Sequence, residues 1–185
     1  MKLNWKYIVA AIVVLCIGWV WFGYNGLIST RGAVQASWAD VQTTYQRRMD
    51  LIPSLASTVK GAAKFEQDTF REVTEARTKW MSAGSRSEQV TAAQGFDSAL
   101  SRLLVTVENY PQLKATQAFQ DFMTQLEGTE NRINTARHDY TDAVMQYNIL
   151  IQRFPRNLLA NLFGFGPEAY FQSTQGAENA PKVTF

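Results

Sequence analysis

The second half of the chain carries a hydrophobic pattern that strongly restricts the possible folds. Between Ala115 and Phe154 the pattern repeats at alternating steps of four and three residues, the period of a coiled-coil-like helix and not of a strand. We call these twelve positions the second seam: Ala115, Phe119, Phe122, Leu126, Thr129, Ile133, Ala136, Tyr140, Ala143, Tyr147, Leu150 and Phe154. The pattern predicts one long helix, opened by Pro111, with a single buried face.

A similar pattern runs through the first half of the chain. We call it the first seam, and its members are Val34, Trp38, Val41, Tyr45, Ile52, Leu55 and Val59, with Arg48 at the one charged position. Pro53 lies inside this segment, and because the register is kept across it we predict a kink there and an end near Gly61.

Two shorter helices are predicted between the seams. "GSRS" at residues 84–87 separates them, and Ser87 is a candidate N-cap for the second. No stretch alternates with period two, so the chain is predicted to be all-α. Four helices with short connections favour an antiparallel, up-down-up-down four-helix bundle with long coiled-coil-like helices.

The amino terminus has the composition of a membrane anchor. No residue from Tyr7 to Thr30 is charged, and the apolar part to Tyr24 would be roughly 27 Å long as a helix, close to the thickness of a bilayer core. A cleaved signal peptide or a lipoprotein signal fits less well, since large aromatic residues follow the apolar core and Leu15 precedes Cys16. We predict an uncleaved transmembrane helix.

The charges that flank this helix predict its orientation. Lys2 and Lys6 precede it and Arg31 alone follows it closely, so the positive-inside rule places the amino terminus in the cytoplasm. The predicted organisation is a cytoplasmic stub and anchor in residues 1–26, a bundle in 27–156, and an apolar, membrane-proximal segment with a carboxy-terminal tail in 157–185.

The segment after the bundle is apolar on much of its surface. If the fourth helix returns to the membrane, a location at the bilayer interface is expected for Leu158, Leu159, Leu162, Phe163 and Phe165. Packing under the bundle and a contact with another subunit are the alternatives.

Composition argues against several classes of function. The chain has 18 basic residues, two of which, Lys2 and Lys6, precede the apolar segment, against 16 acidic residues, and it has no long basic run. Nucleic acid is therefore not an expected partner. Cys16 is the one cysteine and His138 the one histidine, so a disulfide framework, a metal site and a Cys/His nucleophile pair are unsupported, and no cofactor is predicted.

A polar stretch, "LEGTENRI" at residues 126–133, lies within the second seam. Glu127 and Glu130 could serve acid–base chemistry, but no nucleophile or oxyanion donor accompanies them. The favoured hypothesis is a polar layer in which Arg47 or Arg48 meets Glu127 or Glu130, because an arginine fork matches a carboxylate in two places. A ligand or partner contact is the alternative.

Glycines inside two predicted helices suggest close packing. Gly128 lies outside the seam and costs its helix about 1 kcal/mol relative to alanine, which suggests a close neighbour. Gly95 lies among the small residues Ala92, Ala93, Ser98 and Ala99, which suit a close helix contact within the bundle or between subunits.

Several motifs in order resemble those of the LemA family of bacterial membrane proteins. They are "YNGL", "RRMDLIPSL", "TVKG", "EVTEAR", "VENYPQLKA", "LEGTENRI", "FPRNLLANLFGF" and "PKVTF", spread from about residue 24 to residue 185. Ser54, where the family usually has Asn, is a small departure. The resemblance implies one amino-terminal membrane helix and an antiparallel helical bundle, and it implies no reaction, cofactor or catalytic residue.

These observations predict a non-enzymatic, self-associating scaffold at the bacterial cytoplasmic (inner) membrane, with its bundle in the periplasm. Expected partners are membrane lipid, further copies of the chain and other membrane or envelope proteins. The alternative is an envelope sensing or binding module that captures a peptide, protein or lipid. A hydrolase or transferase, which would need a cleft with convergent polar groups, ranks last.

Overall fold

The computed structural model describes residues 5–60 and 67–171, and within these ranges the protein is helical, with no β-strand. This confirms the all-α prediction. The end predicted near Gly61, the side chain of Val59 and the tail from residue 172 onward lie outside the described residues. The helices are α1 Trp5–Met49, α2 Ile52–Lys60, α3 Gln67–Ser82, α4 Arg86–Glu108, α5 Pro111–Lys114, α6 Gln117–Gln152 and α7 Arg156–Phe163.

The described residues divide into two compact units. The first unit contains residues 5–39 and 139–170, and the second contains 40–60, 67–138 and Phe171. The helices α1 and α6 each contribute to both units. The up-down-up-down order of four helices stays a prediction.

The second unit has an apolar core supplied by all of its longer helices. Buried side chains include Val41, Tyr45, Ile52, Leu55, Val73, Trp80, Val90, Phe96, Leu103, Phe119, Phe122, Leu126 and Ile133. The described members of the first seam are all buried, as its spacing predicts. Arg48, the charged member, is buried with them and is 3% exposed.

The amino-terminal end of α4 differs by two residues from the prediction. Ser85, and not Ser87, is its N-cap, and the Ser85 side chain accepts a hydrogen bond from the backbone N–H of Glu88. The Glu88 carboxylate in turn accepts from the backbone N–H of Ser85, which completes a capping box. Glu88 explains why Ser85 and not Ser87 is the N-cap, because Ser87 has no Glu or Gln three residues after it to complete a capping box.

Pro53 lies in the first turn of α2, close to the junction of α1 and α2. The backbone N–H of Leu51 donates to the carbonyl of Arg48, a tightened turn, and the N–H of Leu55 donates to the carbonyl of Leu51. Pro53 has no N–H and occupies the first turn of α2, where that donor is not needed. The structure therefore has a two-residue interruption at 50–51 where the sequence predicted a kink within one helix.

The second seam keeps its register from Phe119 to Tyr140. Its first member, Ala115, is exposed and precedes α6, and Pro111 begins the separate short helix α5 where one long helix was predicted. Beyond Tyr140, Val144 and Ile151 are buried while Ala143 and Leu150 are half-buried, and Phe154 is 80% exposed. A straight α-helix has 3.6 residues per turn, so its buried face drifts by about 20° per heptad from a strict 3.5-residue repeat. The heptad assignment of Ala143, Leu150 and Phe154 is therefore wrong, and it fails where this drift has accumulated.

The first part of α1 is apolar and exposed. Every residue from Trp5 to Ile17 is exposed, and this helix is long and apolar enough to cross a membrane by length and composition. The first buried positions along it are Gly23 and Leu27, where the core of the first unit begins.

Candidate functional site

Arg48 is the centre of a buried polar network in the second unit. Its guanidinium donates to Asp97 of α4 at 3.1 Å, to the hydroxyl of Thr129 in α6 at 3.3 Å, and to the carboxylate of Glu130. Of the four pairings that the sequence left open, the structure brings together Arg48 and Glu130. Arg47 and Glu127 are exposed. Three helices are thus tied at one level by one side chain.

A second arginine completes the network from the other side of Asp97. Arg137 of α6 donates to the second carboxylate oxygen of Asp97 and to the hydroxyl of Tyr45. That hydroxyl donates to the same Asp97 oxygen at 2.9 Å, and the Tyr45 ring stacks on Trp80 with centroids 4.9 Å apart. Neither Asp97 nor Arg137 is among the site residues predicted from the sequence. The signal was available but weak: each directly follows a core residue, Phe96 or Ala136, and so lies at the edge of a buried face.

Burial controls the electrostatics of this network. It raises the pKa of Asp97 to about 7, against the opposing effects of the Arg48 charge and hydrogen bond, and the nearby Glu130 charge adds to the rise. Burial also lowers the pKa of Arg137. The central carboxyl group therefore changes its charge close to neutral pH.

The network is suited to a structural role. Both oxygens of Asp97 accept hydrogen bonds from side chains of the same unit, and three guanidinium nitrogens of Arg48 have acceptors. A carboxylate occupied in this way is not free to act as a general base toward a substrate. Among the described residues, no group of three or more His, Cys, Asp or Glu side chains could hold a metal ion.

The first unit contains a second polar feature, an extended segment held against α6. The chain leaves α7 through Gly164, whose φ of 72° suits glycine, and then runs alongside three polar side chains of α6. The Tyr147 hydroxyl donates to the carbonyl of Gly166 at 2.9 Å, and the Tyr140 hydroxyl donates to that of Ala169 at 2.7 Å. We call residues 165–170 the strap.

Asn148 makes the most specific of the strap contacts. Its side-chain amide donates to the carbonyl of Glu168 and its side-chain oxygen accepts from the N–H of Glu168, both at 2.9 Å. The Asn148 side chain thus provides one donor and one acceptor to the main chain of Glu168, as an adjacent backbone would, and Asn148 is 6% exposed. Hydrophobic periodicity could not reveal this contact, because it joins side chains to an irregular main chain.

The predicted membrane-interface residues divide into two sets. Leu158, Leu162 and Phe163 are exposed, whereas Leu159 and Phe165 are buried in the first unit. Leu159 packs on Gly23 of α1, which has no side chain in the way. The prediction for Leu159 and Phe165 is therefore corrected: one side of α7 is committed to the protein, and only the opposite side is available to lipid.

Aromatic contacts hold the carboxy-terminal end of α7 and the strap against α1. The Tyr24 ring meets those of Phe163 and Phe165 edge-on, at centroid distances of 4.9 and 5.9 Å. The Arg31 guanidinium lies over Phe165, 5.7 Å from the ring centre. These contacts connect the end of the apolar part of α1 with the segment that follows α6.

Neither glycine selected for close packing has a close neighbour in the described part of the chain. A Cβ built on Gly95 or on Gly128 would meet no heavy atom of that part within 4 Å. Gly95 instead lines a groove of about 700 Å³ between α3 and α4, together with Ala76, Ala92 and Ala99. A neighbour for either glycine would have to come from elsewhere.

Together, these features define an all-helical protein with an amino-terminal apolar helix long enough to cross a membrane and a helical unit tied by a buried arginine network. The family comparison is consistent with that class. The chain belongs to the LemA family, whose model matches residues 37–185.

Named relatives match nearly the whole chain. Magnetosome protein MamQ 2 of Paramagnetospirillum magneticum is 30% identical over 93% of this chain and 72% of its own length. Magnetosome protein MamQ of Magnetospirillum gryphiswaldense is 26% identical over 87% of this chain and 68% of its own. Protein LemA of Metamycoplasma hominis is 24% identical over 92% and 80%. None of these names is that of an enzyme. Family and apolar helix together support a LemA-like, membrane-associated protein.

Proposed function

We propose that this protein is a non-enzymatic, membrane-anchored scaffold that self-associates at the outer face of the bacterial cytoplasmic membrane. The observation that supports the proposal most directly is that α1 combines an exposed apolar part with a part that is packed in a helical unit. Its first part exposes apolar side chains from Trp5 to Ile17, and the same uninterrupted helix continues to Arg48 in the core of the second unit. One helix thus supplies both the anchor and part of a packed helical unit. Lys2 and Lys6 before the anchor favour a cytoplasmic amino terminus and a periplasmic location for the rest.

The polar network supports a scaffold over an enzyme. Arg48, Asp97 and Arg137 hold one another, so these three charges fix helix register and do not face a substrate. Buried polar groups of this kind specify which helices align, at some cost in stability. A scaffold needs a defined shape, and this network helps to define one.

The groove between α3 and α4 supports self-association. Small side chains at Ala76, Ala92, Gly95 and Ala99 leave room along the exposed side of the helix pair. The distance between packed helices depends on the side chains at their contact, so small residues let another helix approach closely. We propose that a helix of a second copy lies in this groove.

The mass of the full-length protein in nanodiscs tests this proposal. Gly95→Leu would fill the groove without harming α4, because leucine is a better helix former and a Cβ at this position would meet no neighbouring side chain of the described residues within 4 Å. Ser101→Leu, on an exposed position of the same helix outside the groove, is the matched control. We expect an oligomer for the wild type and for Ser101→Leu, and a smaller species for Gly95→Leu. A monomeric wild type would contradict self-association.

We also propose that the exposed side of α7 contacts the bilayer interface. Leu158, Leu162 and Phe163 present apolar side chains there, and Phe163 meets Tyr24 near the end of the apolar part of α1. A depth-sensitive fluorophore on Leu162→Cys, in a Cys16→Ser background, should report a lipid environment. The same label on Thr135→Cys, an exposed position of α6 in the second unit, should report water. Water-like signals at both positions would refute the interfacial location.

The groove also favours the second candidate, a binding module. Its rim carries Glu72, Glu75, Lys79, Glu88 and Arg102, a mixed-charge edge that suits a peptide. A wild-type monomer that binds a peptide in a way that Gly95→Leu abolishes would favour this function over the scaffold.

A further inference from the structure

We infer that the first unit carries a binding site for an anionic phospholipid. The groove between α1 and α7 takes an acyl chain, and Arg153 and Arg156 attract the phosphodiester headgroup. This inference rests on the proposed function, because it requires α1 to span a bilayer and α7 to lie at its interface.

The first step is the depth of α7. From Tyr7 to Tyr24 an α-helix extends over roughly 27 Å, close to the roughly 30 Å of a bilayer's hydrocarbon core. Tyr24 therefore marks the far edge of the core, and α7 is attached at this level through Leu159 on Gly23 and Phe163 on Tyr24. The boundary between acyl chains and headgroups is thus the level of α7.

The second step is an apolar groove at that depth. Cys16, Ile17, Val20, Trp21 and Tyr24 of α1 line it on one side and Phe163 of α7 on the other, around a volume of about 550 Å³. Its one amide-bearing residue, Asn25, donates its side-chain N–H to the carbonyl of Trp21. Because these lining residues face hydrocarbon when α1 spans the membrane, the occupant that fits is an acyl chain.

The third step is the charge at the other end of α7. Between Asn148 and Gly166 the charged residues are Arg153 and Arg156, both exposed, and neither has an ion-pair partner in the described part of the chain. Arg156 begins α7, roughly 10.5 Å along the helix from Phe163, the α7 residue that lines the groove. The backbone carbonyl of Arg153 accepts from the N–H of Asn157, which holds Arg153 beside the first turn of α7.

Along the chain, the acidic residues that flank these arginines are Asp142 and Glu168. Along α6 the nearest preceding carboxylate is Asp142, roughly 16 Å from Arg153 by helical rise, which is beyond the Debye length of about 8 Å at physiological ionic strength. On the strap, the backbone of Glu168 is held at Asn148, five residues or roughly 7.5 Å of helical rise before Arg153, so its charge offsets part of theirs. Two arginines against this one carboxylate leave the headgroup level of the first unit net cationic, which selects an anionic headgroup over a zwitterionic one.

Native mass spectrometry of the full-length protein tests the site. The protein in mild detergent would be offered equimolar dioleoyl phosphatidylglycerol and dioleoyl phosphatidylcholine, which have the same acyl chains. A basic residue near an anionic membrane surface strengthens binding about fivefold, so two arginines predict a preference of about 25-fold for phosphatidylglycerol.

Variants separate the headgroup site from the groove. Arg153→Gln with Arg156→Gln should remove most of the preference. Arg47→Gln with Arg132→Gln, two exposed arginines of the second unit, changes the net charge equally and should keep it. Phe163→Ala should reduce retention of both lipids alike, because it opens the groove without touching a charge.

Two outcomes would overturn the inference: equal retention of both lipids by the wild type, or equal loss of preference in the two double variants. The fluorophore at residue 162 keeps this failure distinct from failure of the proposed function. A lipid-like signal there without a phosphatidylglycerol preference would contradict the headgroup site but not the interfacial location of α7. A water-like signal would contradict both.

Discussion

The two acidic partners of Arg48, Asp97 and Glu130, differ in burial. Their contributions to the free energy of unfolding should therefore differ, and the difference can be measured. The side chain of Arg48 is 4% exposed, that of Asp97 is 26% exposed and that of Glu130 is 52% exposed. Removing one partner of a buried ion pair costs about 3–5 kcal/mol, because the other charge is left without compensation. A pair open to solvent contributes only about 0–1 kcal/mol. Arg48→Ala and Asp97→Ala should therefore each cost about 3–5 kcal/mol, and Glu130→Ala at most about 1 kcal/mol.

The measurement is thermal or denaturant unfolding of the full-length protein in detergent micelles, followed by far-ultraviolet circular dichroism in mildly alkaline buffer where Asp97 is ionised. For a chain of this size each 1 kcal/mol shifts the Tm by roughly 2–4 °C, so the first two variants should melt roughly 6–20 °C lower and Glu130→Ala at most roughly 4 °C lower. Glu127→Ala, at an exposed position one turn away, is the matched control and should melt like the wild type. Equal losses for Asp97→Ala and Glu130→Ala, or an Arg48→Ala variant as stable as the control, would refute the reasoning.

Three further predictions concern separate features. Because burial raises the pKa of Asp97 from 3.8 to about 7, the folded state binds more protons than the unfolded chain between these values, so stability should fall as pH rises through that window, by at most about 4 kcal/mol. Unfolding of the wild type and of Asp97→Ala across this range checks the prediction, and an equal slope for both would contradict it. Asn148→Ala leaves the N–H and carbonyl of Glu168 without their partners, so the strap should loosen by about 1–3 kcal/mol and amide exchange at Glu168 should accelerate; unchanged exchange would show that Asn148 does not hold it. Ser85→Ala should cost about 1 kcal/mol through loss of the N-cap while Ser87→Ala costs little, and the reverse order in unfolding experiments would contradict the assigned cap.

Much of the fold could be predicted because helical burial follows a simple period. The described members of the first seam are buried as their spacing implies, and Arg48 was identifiable as a charge on an apolar face. The same argument failed beyond Tyr140, since a strict heptad and a straight helix separate by a small angle that accumulates with length.

The contacts of the candidate sites were less predictable. Arg48 has Asp97 as its more buried acidic partner, and which helix faces a given arginine is a property of tertiary packing that no local pattern encodes. The strap depends on side chains of Tyr140, Tyr147 and Asn148 bonding to main-chain groups, and these bonds leave no periodic signal. The interface prediction for residues 158–165 identified an apolar segment but not which of its sides the protein itself covers.

A self-associating scaffold requires that anchored chains associate with one another in the membrane. Single-molecule photobleaching of the full-length protein, labelled with one fluorophore per chain at an exposed position of the second unit and reconstituted in bilayers at low density, measures the number of chains in each particle. The account predicts two or more bleaching steps for the wild type and a shift to single steps for Gly95→Leu. Single steps for the wild type at every density would contradict it.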